Sequence, residues 1–319
     1  MYRLGVDLGG TNIAVGVVDE NYKIIGRGKV KTRAPRPAEE IADDIAVAVR
    51  QAVQNAGLQI SDISSMGIGT PGAVDPKEGV VTYANNLGFN NVPLCQMMKD
   101  RIGVDFYIEN DANAATYGEY IAGAGKGTNN FVAITLGTGV GGGIVIDKKL
   151  YSGSNYAGGE LGHTVINFDG EMCSCGRKGC FEAYASATAL IRQTKAKMLE
   201  NKDSLMWEIA GDIDKVNGIT AFDAWRKGDK AAAEVVDQYI RYIAVGTVNM
   251  VNIFQPEKFC IGGGISGEKE NLTNPISKIV NQEDYARNMK KRVEICTAEL
   301  GNDAGIIGAA FLDTLYKTV

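Results

Sequence analysis

Apolar residues alternate with short turns from the first positions onward. "YRLGV", "NIAVGVVD" and "KIIGRGKVKT" are separated only by Gly9-Gly10 and by "ENY". This pattern predicts a meander of three neighbouring strands. A dinucleotide-binding unit would place a helix after its first strand instead. Pro37 opens a helical pattern with Ile41, Ile45, Ala46, Val49 and Val53 on one face and Gly57 at its end. "SSMGIGT" and "DFYIE" read as strands flanking a helix at "PLCQMMKDRI", and "ANAATYGEYIAG" reads as the next helix. Further on, a long apolar pattern predicts a helix from about Lys230 to Phe254, and "AGIIGAAFLDTLYKT" predicts a closing helix.

The pattern also repeats. "LGVDLGGTNIAVGVVD" (Leu4–Asp19) and "VAITLGTGVGGGIVID" (Val132–Asp147) align without a gap: an apolar strand, a Leu-Gly turn and a second apolar strand ending in Asp. Strand–glycine–strand is a common hairpin, so the match alone carries little. A helix-rich segment follows each copy, which favours two related α/β halves facing one another. The expected organisation is a small α/β domain over 1–113, joined by a C-terminal helix at about 305–319, and a large α/β domain over 114–304.

With 319 residues the chain is long enough for two domains with proper cores. A net charge of −5 without a basic cluster argues against a nucleic-acid or anionic-membrane partner. "YIAVGTVNMVNIF" is interrupted by Asn249 and Asn252 and is too short to span a bilayer. Met1 leads directly into a strand pattern, so the expectation is a cytoplasmic protein with reduced cysteines.

The 40 glycines are clustered. In Gly9-Gly10-Thr11 bare backbone N–H groups can converge on an anion, with Thr11 and Asn12 adding donors. Asp7, at the end of the first strand, could hold a hydrated Mg²⁺. Gly137, Thr138 and Gly139 form a second turn of the same kind, and "FCIGGGIS" is a third cluster. Neither turn matches a P-loop. One such turn reads as a hairpin; two matched turns and a third cluster point to a nucleotide. Asp111 lies between a strand and a helix. It is either that helix's cap or a base facing a substrate hydroxyl, and both roles coexist if Asn110 or the backbone does the capping.

"GGELGHTVINFDGEMCSCGRKGCFEAYAS" holds the chain's only histidine and three of its six cysteines. His163, Cys173, Cys175 and Cys180 fit a closed tetrahedral zinc site, structural because four protein ligands leave no open position. Gly176 and Gly179 permit the tight turn. A disulfide or buried reduced thiols are the alternatives. The second ring nitrogen of a metal-bound imidazole needs an acceptor. Glu160, His163 and Glu182 on a metal-fixed frame would suit sugar hydroxyls; otherwise both glutamates are solvated surface charges.

"DLGGTN", "GIGTPGAVD", "ENDANAA", "LGTGVGGGIV", "GGELGH", "CSCGRKGCFEAYAS" and "IGGGIS", in this order, resemble the ROK family of sugar kinases and repressors across nearly the whole chain. The resemblance implies a ribonuclease-H-like, actin/hexokinase-type α/β fold, two domains with a cleft between them, and a homodimer or homotetramer. It implies ATP at Gly9, Gly10, Thr11, Asn12, Gly137, Thr138, Gly139, Gly262, Gly263 and Gly264. It makes Asp111 the catalytic base, and Gly72, Asn86, Asn110, Glu160, His163 and Glu182 the sugar-binding residues beside it. Phe89 stands where many sugar-specific members have Trp. The family's repressors carry a helix-turn-helix domain ahead of "DLGG", for which Asp7 leaves no room. The expectation is therefore an ATP-dependent hexose kinase acting on the 6-hydroxyl of glucose. Alternatives are a kinase for fructose, mannose or an N-acetylated hexosamine such as N-acetylmannosamine, a sugar-sensing protein without turnover, or a zinc-based interaction module.

Overall fold

The computed structural model describes residues 1–316; residues 317–319, which the expected closing helix included, lie outside the described residues. The predicted meander is present as strands β1 (Tyr2–Leu8), β2 (Asn12–Val18) and β3 (Ile24–Lys31). Helix α1 (Ala38–Asn55) follows, with Pro37 before it. Its Ile41, Ile45, Ala46, Val49 and Val53 are all buried. Each large side chain on that face contributes roughly 1.5–3 kcal/mol of burial.

Strand β4 (Ile63–Thr70) leads into three short strands that the sequence pattern did not predict, β5 (Ala73–Asp75), β6 (Val80–Ala84) and β7 (Phe89–Val92). Helix α2 (Leu94–Ile102), strand β8 (Phe106–Asn110) and helix α3 (Asp111–Ala122) come next. The first sheet has the order β3-β2-β1-β4-β8, and β5-β6-β7 form a small sheet of their own. Within the first sheet β1, β4 and β8 run parallel and the meander strands antiparallel.

The second repeat gives strands β9 (Phe131–Leu136) and β10 (Val140–Ile146), followed by β11 (Lys149–Tyr151). Helices α4 (Glu182–Ala185), α5 (Ala187–Glu200), α6 (Leu205–Ala210), α7 (Thr220–Arg226) and α8 (Lys230–Phe254) precede strand β12 (Lys258–Gly262). Helix α9 (Glu270–Glu283) and strand β13 (Glu294–Thr297) complete this part. The second sheet has the order β11-β10-β9-β12-β13, with β12 parallel to both β9 and β13. The closing helix is broken in two, α10 (Ala304–Ala310) and α11 (Asp313–Tyr316). The chain turns at Phe311–Leu312, and Asp313 meets Arg3 in a half-buried, two-bond ion pair.

The chain divides into two compact units: Met1–Asn129, Gly143–Gly159 and Glu299–Val319 in the first, Asn130–Gly142 and Glu160–Ala298 in the second. This differs from the expected boundary at 113/114. Helix α3 belongs to the first unit because it packs on α10 so closely that a Cβ at Gly308 would stand 1.7 Å from the Ala114 carbonyl oxygen. Only glycine allows that approach. One face of the first sheet is covered by α1 and α2, with Leu4, Val6, Ile13, Ile68 and Ile108 fully buried in that core. Among the described residues no helix is long and apolar enough to cross a membrane.

Candidate active site

In the first unit the site is organised at the β8–α3 junction. Asn110 caps α3: its Oδ1 accepts the N–H groups of Ala112 (2.9 Å) and Asn113 (3.2 Å). The same side chain donates from Nδ2 to the Gly72 carbonyl at 3.1 Å. Gly72 has φ +93°, and a Cβ there would lie 2.1 Å from the Tyr83 carbonyl oxygen, so the position is closed to other residues. With the cap supplied by Asn110, Asp111 is the first residue of the helix rather than its cap. Its Oδ1 accepts the Ala112 N–H at 2.8 Å. Burial pushes the Asp111 carboxyl above the usual range, against hydrogen bonds that pull it back.

Asp7 belongs to the same unit. Its carboxyl is pushed up to about 6, first by burial and then by the negative charge of Asp111. A buried carboxylate raised by a second carboxylate makes a place that favours a cation. The Gly9–Asn12 turn is closed by Gly9 N–H donating to the Asn12 carbonyl at 3.0 Å and by the Thr32 hydroxyl donating to the Gly9 carbonyl at 2.6 Å. Asn12 has a buried Oδ1 without a partner. Asn86 is exposed, and its Cβ lies 3.8 Å from where a Cβ of Gly10 would be. Phe89 is 2% exposed and sits in the core. It packs in the core while bordering a recess with Pro35, Arg36 and Gly88.

In the second unit the Gly137–Gly139 turn is held by α5. Ala187 N–H donates to the Gly137 carbonyl at 2.8 Å and the Thr188 hydroxyl donates to the Thr138 carbonyl at 2.8 Å. Glu182 ties this turn to the cysteine loop. Its Oε2 accepts Val140 N–H at 3.0 Å, while Oε1 accepts the Ser174 hydroxyl at 2.9 Å and the Cys173 thiol at 3.5 Å. Glu182 is thus no solvated surface charge. Thr138, Gly139, Cys173, Ser174, Glu182 and Thr188 line a recess of about 360 Å³. Gly263, in the third glycine cluster, has φ +83° and is capped by the Ser266 hydroxyl on its carbonyl at 2.7 Å.

His163, Cys173, Cys175 and Cys180 bring their ligand atoms within 4.8 Å of one another. Two bridges, Val165 with Cys180 and Met172 with Lys178, fold the loop back on itself, and Gly176 and Gly179 both have positive φ. The Cys175 and Cys180 sulfurs are 3.7 Å apart, and Cys173 Sγ is 3.6 Å from His163 Nδ1. A tetrahedral zinc with Zn–S of about 2.3 Å puts its sulfurs about 3.8 Å apart. All three thiols are free. Burial and the neighbouring thiols push Cys180 up to about 12 and Cys173 upward, whereas the Arg177 N–H holds Cys175 below the usual range. The four ligand atoms stand at separations that a tetrahedral Zn²⁺ would accept once the thiols give up their protons to it, so the residues fit Zn²⁺. His163 Nε2 faces away from this quartet, 4.0 Å from the exposed Glu160 carboxylate.

Sequence reasoning passed over Ser174 and Thr188, whose hydroxyls fasten the loop and the turn, and Glu109. Only the last carried a signal, an acid directly after the apolar run 106–108 of its strand.

A family model described as the ROK family matches residues 3–314. A glucokinase of Thermotoga maritima is 39% identical over 313 residues, covering 96% of this chain and 95% of that protein. A glucokinase of Streptomyces coelicolor is 38% identical over 313 residues, covering 97% and 96%. Among solved structures, a ROK family glucokinase from Streptomyces griseus in complex with glucose and AMPPNP aligns over 100% of both chains, with a TM-score of 0.83 and 37% identity. The expected α/β fold is the fold of that structure.

Proposed function

Because this chain belongs to the ROK family, we propose that it is an ATP-dependent glucokinase that phosphorylates the 6-hydroxyl of glucose. The arrangement at the start of α3 carries the mechanism: Asn110 supplies the cap, so Asp111, although its Oδ1 accepts the Ala112 N–H, is not required as the cap and serves the substrate. Asp111 accepts the hydroxyl proton as the sugar oxygen bonds to the γ-phosphorus. The bond from that phosphorus to the β–γ bridging oxygen breaks, and ADP leaves. A carboxyl raised by burial is a better base near neutral pH than an exposed one. Phosphoryl transfer relies on positioning and on electrostatic stabilisation, so no covalent nucleophile is needed.

Gly9, Gly10, Thr11, Asn12, Gly137, Thr138 and Gly139 are assigned to the phosphates, and Gly262, Gly263 and Gly264 to the adenosine. Asp7 would hold Mg²⁺, which supplies positive charge against the phosphates. Gly72 acts through Asn110, and Asn86, Asn110, Glu160 and His163 are assigned to the sugar. Glu182 joins them through Oε1 while its Oε2 fixes the turn. The zinc quartet is structural and orients His163. By resemblance the molecule is a homodimer or homotetramer, which sedimentation measures.

The test is ADP release with a panel of hexoses. Glucose is expected to give the highest kcat/KM, and Asp111→Ala to lower kcat by roughly 10²–10⁴-fold while glucose still binds. Preference for N-acetylmannosamine would overturn the substrate assignment. Near-normal turnover of the Asp111→Ala enzyme would overturn the mechanism.

A further inference from the structure

Two residues before Asp111, strand β8 buries a carboxylate. Glu109 is 0% exposed. An ionised side chain in such a place is costly unless donors satisfy it, and an apolar residue there would cost nothing. Here three donors converge. Glu109 Oε1 accepts the backbone N–H of Asn110 at 2.8 Å and Nδ2 of Asn113 at 3.1 Å. Its Oε2 accepts the hydroxyl of Tyr316, from α11 at the far end of the chain. Asn113 is itself 2% exposed, on the first turn of α3.

Glu109 therefore grips the chain on either side of Asp111, at residues 110 and 113. The segment between them is also fixed from Asn110, whose Oδ1 holds the N–H groups of Ala112 and Asn113. Asp111 has no freedom to shift its Cα without breaking one of these bonds. Tyr316 anchors the second oxygen, so the position of the buried carboxylate depends on how α11 is seated. Both Glu109 oxygens are satisfied, although the buried Oδ1 of Asn113 has no partner; loss of partners from a buried polar network loosens it.

We propose that Glu109, backed by Tyr316, is a positioning residue for phosphoryl transfer: it sets the backbone of residues 110–113 and so where the Asp111 carboxylate stands. The inference rests on the reading of Asp111 as the base. Glu109 touches neither substrate nor the reacting atoms, and its effect is on geometry. A misplacement of the base by about 1 Å can cost on the order of 10²-fold in rate.

The experiment is steady-state kinetics on Glu109→Gln, Tyr316→Phe and each of them combined with Asp111→Ala. Glu109→Gln should lower kcat by roughly 10–100-fold with KM for glucose and ATP within about 3-fold of the parent. Tyr316→Phe removes one hydroxyl and no packing; it should lower kcat by about 3–10-fold with the same unchanged KM values. If Glu109→Gln fails to fold, Tyr316→Phe decides alone. In the Asp111→Ala background neither substitution should change the residual rate, because both act through Asp111. Folded single variants with parental kcat would overturn the proposal, as would an undiminished loss in the double variants. An Asp111→Ala enzyme that turns over normally overturns the underlying reading instead, and that single variant reveals it without reference to Glu109.

Discussion

Burial resists the ionisation of both Asp7 and Asp111, and the charge of Asp111 adds to it at Asp7. The folded chain holds the Asp7 proton up to about pH 6, whereas the ordinary value is 3.8. A raised acid contributes its stability fully below the unfolded value, and that stability is lost as pH rises through the folded one. The ligand-free protein in chelator should therefore lose on the order of 2 kcal/mol between pH 4.5 and 7.5 from Asp7. Asp7→Asn should remove that slope and raise stability at pH 8, at the expense of activity. Urea melts at the two pH values check it; identical slopes for the parent and Asp7→Asn would refute the assignment. Function here opposes stability at a single side chain, as expected where charge is held ready for a cation.

At the level of elements, the β8–α3 junction separates two jobs that one residue could have confused. Asn110→Asp keeps the acceptor for Ala112 and Asn113 but loses the donor to the Gly72 carbonyl. Stability should stay within about 0.5 kcal/mol, since Asp caps as well as Asn. The KM for glucose should rise, and an unchanged KM would show that the link to Gly72 plays no part in sugar binding. The zinc loop offers the second test. One zinc per chain is expected by metal analysis, and Cys175→Ser or chelation should weaken glucose binding before the far-UV spectrum changes. Zinc removal that leaves glucose affinity intact would uncouple the loop from the sugar. That His163, Cys173, Cys175 and Cys180 come together was legible in the sequence because all four lie within one short segment. The role of Glu182 was only half legible, because Val140 is 42 positions away and meets it only once the sheet has formed. The burial of Glu109 was hidden for a related reason, although an acid in that strand was itself a signal. Strand β8 is covered on both faces, so alternation of apolar and polar residues no longer tells inside from outside.

For the molecule as a whole, the meander, α1 and α8 could be read from periodicity, since each is long and one-sided. The sheet β5-β6-β7 could not, its strands being three to five residues long. Nor could the membership of α3, which depends on glycine contacts with a helix almost two hundred positions away. The first unit is assembled from three separate stretches of chain, and its integrity rests on how the last one is held. Glu119, on α3 and 3% exposed, does this through its carboxylate: Oε1 accepts Leu300 N–H at 2.7 Å, and Oε2 accepts the N–H groups of Glu299 (3.1 Å) and Ala124 (3.0 Å). The Ala124 N–H is buried and the other two are part-buried; a stranded buried donor costs about 1–3 kcal/mol and a part-buried one less. Glu119→Ala should therefore destabilise the chain by about 2–3 kcal/mol, measured by urea unfolding. The Arg27–Asp303 pair also joins the first stretch to the last, but across the surface. Arg27→Ala should cost no more than about 1 kcal/mol, as exposed pairs do. If the two variants proved equally mild, the last stretch would be held to the first by the packing of α10 on α3, β1 and β4 alone, with the buried carboxylate adding nothing.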